Sequence, residues 1–192
     1  MKKLLSLFLA LVATTALWAS NTITYTATQK LPETTSYYST GLHTDAFNVS
    51  ISSHTFSNGT GIITFSGEII TIGNRGFYNC TNLSSIEVPN SVTTIGKEVF
   101  SGCSGLTSVT IPNSVTTIGD EAFYFCSGLT SIAIPNSVTT IGEKAFDGCS
   151  GLTSITIPNS VTTIGEKAFD GCKIKSVTWN AKNCNGTTFA PV

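Results

Sequence analysis

"SGLTSITIPNSVTTIGEKAFDGC" fills residues 150–172, and residues 127–149 spell it again with one change, Ala133 where the later copy has Thr156. Looser copies lie upstream. Aligned, they place Cys80, Cys103, Cys126, Cys149 and Cys172 in one register, each 23 residues from the next. Phe77, Phe100, Phe123, Phe146 and Phe169 keep the same interval, as do Ile72, Ile95, Ile118, Ile141 and Ile164. A constant period of about 20–29 residues is the mark of a solenoid.

Within one unit the apolar letters follow a rule. Alternation across "SITI" sends Ile155 and Ile157 to one face of a strand, and Ser154 and Thr156 to the other. Pro158 has no N–H for a ladder and ends the strand. Gly165 can take a positive φ and turn the chain. "EKAF" then predicts a single helical or 3₁₀ turn that packs Ala168 and Phe169 inward. The coil is therefore strand, corner, short back-side turn, corner. One such coil leaves its apolar side chains open above and below, and only stacked neighbours cover them.

The flanks depart from the pattern. Upstream, "GIITFSGEIITIGNRGFYNC" keeps Ile63, Phe65, Ile69 and Ile72 in phase but lacks the Leu and the Pro. Downstream, "KIKSVTW" is one residue short, so Ile174, Val177 and Trp179 take the strand positions. We therefore place 23-residue repeats over 58–179, five to six coils with degenerate terminal ones, and a β-rich N-terminal cap over 21–57. Residues 180–192 read as a C-terminal cap or a truncated repeat. The first 20 residues, "MKKLLSLFLALVATTALWAS", pair two lysines with an apolar run and small residues, the layout of a secretory signal peptide. The apolar run is shorter than the ~20 residues a membrane-spanning helix needs. Removal of the signal leaves no transmembrane segment to expect. Charged residues make up only 11% of the 192 and the formal net charge is −1, so nothing marks a nucleic-acid partner.

The order Leu-x-x-Ile-x-Ile-x-x-Ser-Val resembles the leucine-rich repeat, and the fuller "LTSIxIPNSVTTIGxxAFxxC" resembles its BspA-type variety. The resemblance covers 58–179. It implies a right-handed coil of the α/β class, mostly β, with a parallel sheet on the concave face and short helical or 3₁₀ turns on the convex side. It also implies an exported protein, secreted or held at the cell surface, that adheres to matrix or host proteins such as fibronectin and fibrinogen, or to other cells.

Six cysteines in an exported chain invite a disulfide reading. Stacked equivalent residues point the same way, however, and we expect a column of buried thiols, with Cys184 outside the register and its pairing open. No Cys-x-x-Cys pair accompanies them, and no metal or cofactor site is expected. His43 and His54 have no nucleophile or metal motif around them, and Asp120, Glu121, Glu143 and Glu166 read as solvated surface. Nearly interchangeable copies offer no unique constellation, so no catalytic residue is assigned and no enzyme is expected.

The candidate binding residues lie on the inner sheet face. They are Ser85 and Glu87, Ser108 and Thr110, Ser131, then Thr153, Ser154 and Thr156, and finally Lys175 and Thr178. This hydroxyl-rich, almost uncharged surface suits many weak hydrogen bonds to an extended protein or glycan. It is equally the composition of an exposed strand with no partner. Threonine rows at 93, 116, 139 and 162, beside 94, 117, 140 and 163, raise ice binding as a remote alternative, although the spacing assigns them to a corner rather than a flat sheet. The leading expectation is a non-catalytic adhesive binder; the alternative is a structural spacer or a fragment of a larger adhesin.

Overall fold

The computed structural model describes residues 21–36, 39–182 and 184–186. The export signal expected over 1–20 and the last residues of the C-terminal segment, 187–192, lie outside them. The described chain is a mostly-β solenoid without a helix.

Its N-terminal end is closed by antiparallel strands. Strands β1 (Thr22–Ala27), β4 (Ile51–Ser57) and β5 (Thr60–Phe65) form this cap, with the short pair β2 (Glu33–Thr34) and β3 (Leu42–His43) beside them. β4 and β5 are a hairpin turning on Asn58 and Gly59, whose φ values of 49° and 79° suit the two-residue turn that matches strand twist. β1 lies between β5 and the first repeat strand and runs antiparallel to both. Tyr25 on β1 is 1% exposed, and its ring crosses Gly61, where any side chain would collide with it.

Each coil beyond the cap has three arms. The first is the strand arm: β7 (Leu83–Glu87), β9 (Ser108–Thr110), β12 (Ser154–Ile157) and β14 (Ser176–Trp179). β7 pairs in parallel with β9, and β12 with β14. Residues 130–134, the corresponding stretch of the coil between, keep the in–out alternation but join neither neighbour by main-chain hydrogen bonds. The second arm carries six two-residue strands: β6 (Thr71–Ile72), β8 (Thr94–Ile95), β10 (Thr117–Ile118), β11 (Thr140–Ile141), β13 (Thr163–Ile164) and β15 (Asn185–Gly186). They stack in one unbroken parallel sheet, with Ile72, Ile95, Ile118 and Ile141 buried in register. At the corner before it, the hydroxyls of Ser91, Ser114 and Ser137 donate to the carbonyls of Ile69, Val92 and Val115 at 2.5–2.6 Å.

The third arm corrects one expectation. "EKAF" and its equivalents form linked turns, not a helical or 3₁₀ segment. A helix uses every amide on its own carbonyls. Here alternate amides are given to the next coil: Glu121, Phe123 and Phe125 donate to Glu143, Ala145 and Asp147, each at 2.8 Å. The amides between them close turns on Gly119, Glu121 and Phe123. This alternation is achieved by left-handed residues at Glu98, Glu121, Lys144 and Lys167, and again at Asn79, Gly102, Phe125, Gly148 and Gly171.

The core fills the space between the arms. Phe77, Phe100, Phe123, Phe146 and Phe169 stack with centroids 5.1–5.4 Å apart and ring planes within 19° of parallel. Phe47 of the cap ends this column edge-on, 6.0 Å from Phe77 at 78°, and packs on Phe65 at 4.8 Å. Columns of Leu, Val, Ile, Ala and Cys run alongside.

Candidate functional site

The strand arm sets the candidate residues in two rows. Ile86, Val109, Ile132 and Ile155 point into the core and the residues on either side point out. Parallel pairing places Ser85 beside Ser108 and Glu87 beside Thr110, and farther along Ser154 beside Ser176 and Thr156 beside Thr178. Ser108, Thr110, Thr153, Ser154, Thr156, Lys175 and Thr178 are exposed. Ser131 is exposed between the two halves but is not in a ladder with either. At the cap end, Thr26 covers the row: its hydroxyl lies 2.7 Å from that of Ser85, and Ser84 donates to its carbonyl at 3.0 Å. Ser85 is consequently half-buried, while Glu87 stays exposed opposite Thr24. Lys175 enters the last strand through its amide, which donates to the Thr153 carbonyl at 2.8 Å.

The cysteines are free, and Cys80, Cys103, Cys126 and Cys149 are buried. The thiols of Cys103, Cys126, Cys149 and Cys172 donate to the carbonyls of Phe77, Phe100, Phe123 and Phe146 at 3.0–3.1 Å. Burial pushes Cys126 and Cys172 up to about 12 and raises Cys103 and Cys149 as well, which suppresses the nucleophilic thiolate. Among the described residues no group of three or more His, Cys, Asp or Glu is placed to hold a metal ion. Nor is any helix there long and apolar enough to cross a membrane.

The histidines, unremarked by any motif, are hydrogen-bonded within the cap segment. The Tyr25 hydroxyl donates to Nε2 of His54 at 2.7 Å, and Nδ1 of His54 donates to Glu33 at 2.8 Å, with Lys30 3.5 Å from the same carboxylate. The relay resembles a base with its orienting acid, but the Tyr25 hydroxyl is enclosed and also accepts the Leu31 amide. It ties β1, β2 and β4 together. His43 holds the Ser39 carbonyl at 2.9 Å and lines a shallow cleft with Asp45, Phe47 and Asn74.

Two features escaped the sequence reading. Thr71, Thr94, Thr117, Thr140 and Thr163 are not at a corner: they sit in register along the six-stranded sheet. And the turn arm carries an aromatic pair, half-buried Tyr124 and exposed Phe125, 4.5 Å apart and edge-on at 84°. Comparing the copies at one register would have found the second, since Phe125 stands where others have Asn79, Gly102, Gly148 and Gly171.

The family model described as the BspA type leucine-rich repeat region matches residues 35–132 and 116–190, in six copies. No curated protein matches the chain. Among solved structures, a leucine-rich repeat protein of T. pallidum is 35% identical with a TM-score of 0.53, over 54% of this chain and 49% of its own. A leucine-rich cell surface protein of Faecalibacterium prausnitzii A2-165 is 34% identical with a TM-score of 0.55, over 68% of this chain and 35% of its own. The chain thus spans about half the length of the first and about a third of the second.

Proposed function

Because the chain belongs to the BspA-type leucine-rich repeat family, we propose that it is an exported, non-catalytic binder of extracellular proteins or glycans that works through its strand arm. The observation that carries this reading is the double row of exposed hydroxyls, Ser108 and Thr110 beside β7 and Ser154, Thr156 and Thr178 beyond. A core needs none of these side chains. Set at strand spacing on a stacked frame, they offer an extended partner a run of weak contacts that sum. Glu87 and Lys175 place one charge near each end of the run, which would orient a partner with the opposite order. Likeness to a protein described as cell-surface supports a site of action outside the cytoplasm.

The test is binding to immobilised matrix proteins and to a glycan array, with the parent chain and with Ser108→Arg, Ser131→Arg and Ser154→Arg combined. Loss of binding in the folded variant supports the strand arm. Unchanged binding moves the site elsewhere, and no binding by the parent favours a spacer. Recovery of the protein from culture medium or cell envelope, with a new N-terminus near residue 20, tests export.

A second reading rests on the threonine column of the six-stranded sheet. A regular hydroxyl row on a stacked parallel sheet is the kind of surface that can order water into an ice lattice. Thermal hysteresis by the purified protein would support it, and its loss on Thr117→Lys would place it there.

A further inference from the structure

The copies differ little, so a single departure from the common letters has local meaning. At the second left-handed position of each turn arm the chain uses Asn79, Gly102, Gly148 and Gly171, residues that enter that region at small cost. The third of these arms uses Phe125 at φ 54° instead. Its ring is 53% exposed, more than Ile62, Ile70 or Trp179. Packing does not require it there, because the flanking coils close with glycine. One side of the ring is set against the backbone of Gly148, where an added Cβ would stand 3.1 Å from its carbons. Gly171 follows Gly148 in the same register. Phe125 therefore stands at the head of a lane without side chains. Asp147 and Asp170 precede those two glycines, and neither forms an ion pair among the described residues.

The chain shows what such an aromatic can hold. Two coils earlier, at the register of Tyr124, lies Tyr78, and the guanidinium of Arg75 sits 4.5 Å over its ring. At Arg75's register in the Tyr124 coil the residue is Glu121. The cation supplied within the chain at Tyr78 is missing at Tyr124, and an acid stands in its place. Of the nearby cations, Lys144 lies 3.0 Å from Glu143 and Lys97 3.7 Å from Glu121, while Lys167 and Lys144 pull the Asp147 carboxyl down without an ion pair to it.

We infer that Tyr124 and Phe125, with Asp147, Asp170 and Glu121 around them, form a docking point for a lysine or arginine side chain of a protein partner, on the turn arm and apart from the strand-arm face. Ring faces attract cations, and the carboxylates supply opposite charge. A neutral sugar would also stack on the ring, but it would leave the repulsion between Asp147 and Asp170 unrelieved. That repulsion, after burial, is what raises the Asp147 carboxyl above the usual range. The site is independent of the strand-arm reading.

The experiment titrates the full chain with tetra-arginine, and separately with cellotetraose, following the Tyr124 and Phe125 rings and the Gly148 amide by NMR. Saturable shifts centred on these groups with tetra-arginine are expected. Phe125→Gly should weaken binding about fivefold or more while raising the melting temperature, because glycine suits the left-handed backbone. Glu121→Arg should fill the site from within, as Arg75 does at Tyr78, and abolish the shifts. Ser108→Arg with Ser154→Arg should leave them intact. Shifts centred elsewhere, undiminished affinity in Phe125→Gly, or perturbation by cellotetraose alone would overturn the proposal.

Discussion

The thiol of Cys126 donates to the carbonyl of Phe100, 3.1 Å away and 26 residues earlier in the chain. The same link recurs between Cys149 and Phe123 at 3.0 Å. Sulfur thus stitches each coil to the one before it, and the thiol is both enclosed and raised by burial. Iodoacetamide at about pH 8 should leave Cys103, Cys126 and Cys149 unmodified in the native protein and label all three after denaturation without reductant. Peptide mass mapping reads the outcome. Native labelling, or thiols already oxidised in the denatured chain, would refute the column.

Phe123 has a ring on either side, at 5.2 Å to Phe100 and 5.1 Å to Phe146, and is fully buried. Truncation removes both contacts and leaves a cavity that the laddered arms cannot collapse to fill. Phe123→Ala is expected to cost about 3–5 kcal/mol. Phe169→Ala, at a half-buried position, should cost less than half as much. Urea unfolding of the two variants compares them, and equal losses would argue against the stacked column.

Residues 130–134 lack the main-chain bonds that hold β7 to β9 and β12 to β14. Their amides should therefore exchange with solvent faster than those of Ser154–Ile157, though the neighbouring turn and six-stranded arms stay protected. Hydrogen exchange with site resolution checks this. Equal protection across 131–133 and 154–156 would mean the strand arm is continuous in solution.

The Tyr25–His54–Glu33 relay makes the cap sensitive to acid. Burial of the ring comes first in holding His54 below its ordinary 6.5, against the pull of Glu33. A proton binds the unfolded ring more readily than the folded one, so stability is complete above about pH 6.5 and falls as pH drops from there toward the folded value. Glu33 is held low, first by the hydrogen bond from His54, and its contribution is lost at still lower pH. The urea midpoint should be lower at about pH 5.5 than at pH 7.5, and His54→Gln should flatten this interval. An unchanged slope in the variant would assign the acid sensitivity to other groups.

Much of the solenoid was legible because the residues that bury recur at one interval, and burial leaves few choices of side chain. Ile155, Phe146 and Cys149 all lie inside as the pattern requires. The turn arm was misread because Glu-Lys-Ala favours a helix locally, whereas the amides of Lys144 and Phe146 go to Glu166 and Ala168 in the next coil. That demand comes from stacking and leaves no local letter. Asn58-Gly59 is a hairpin signal, but Ile63 and Phe65 just after it also keep the phase of the repeat. The open stretch at 130–134 differs from its paired counterpart by one outward letter, Ala133 for Thr156, while "SIAI" and "SITI" share every buried residue. Ser108 and its row were found by alternation alone, while His54 meets Tyr25 and Glu33 across 29 and 21 residues and no short-range rule joins them.

On the turn arm, alternate amides reach 22 residues ahead, from Phe100 to Ala122, from Phe123 to Ala145, from Phe146 to Ala168. A gene that lost or gained one whole unit would leave every such bond with a matching acceptor. The two near-identical copies, 127–149 and 150–172, are also where replication slippage would act. Coil number is then a heritable variable, free to change how far the molecule reaches. The aromatic pair at 124 and 125 lies ahead of both copies, and slippage between them would leave it in place.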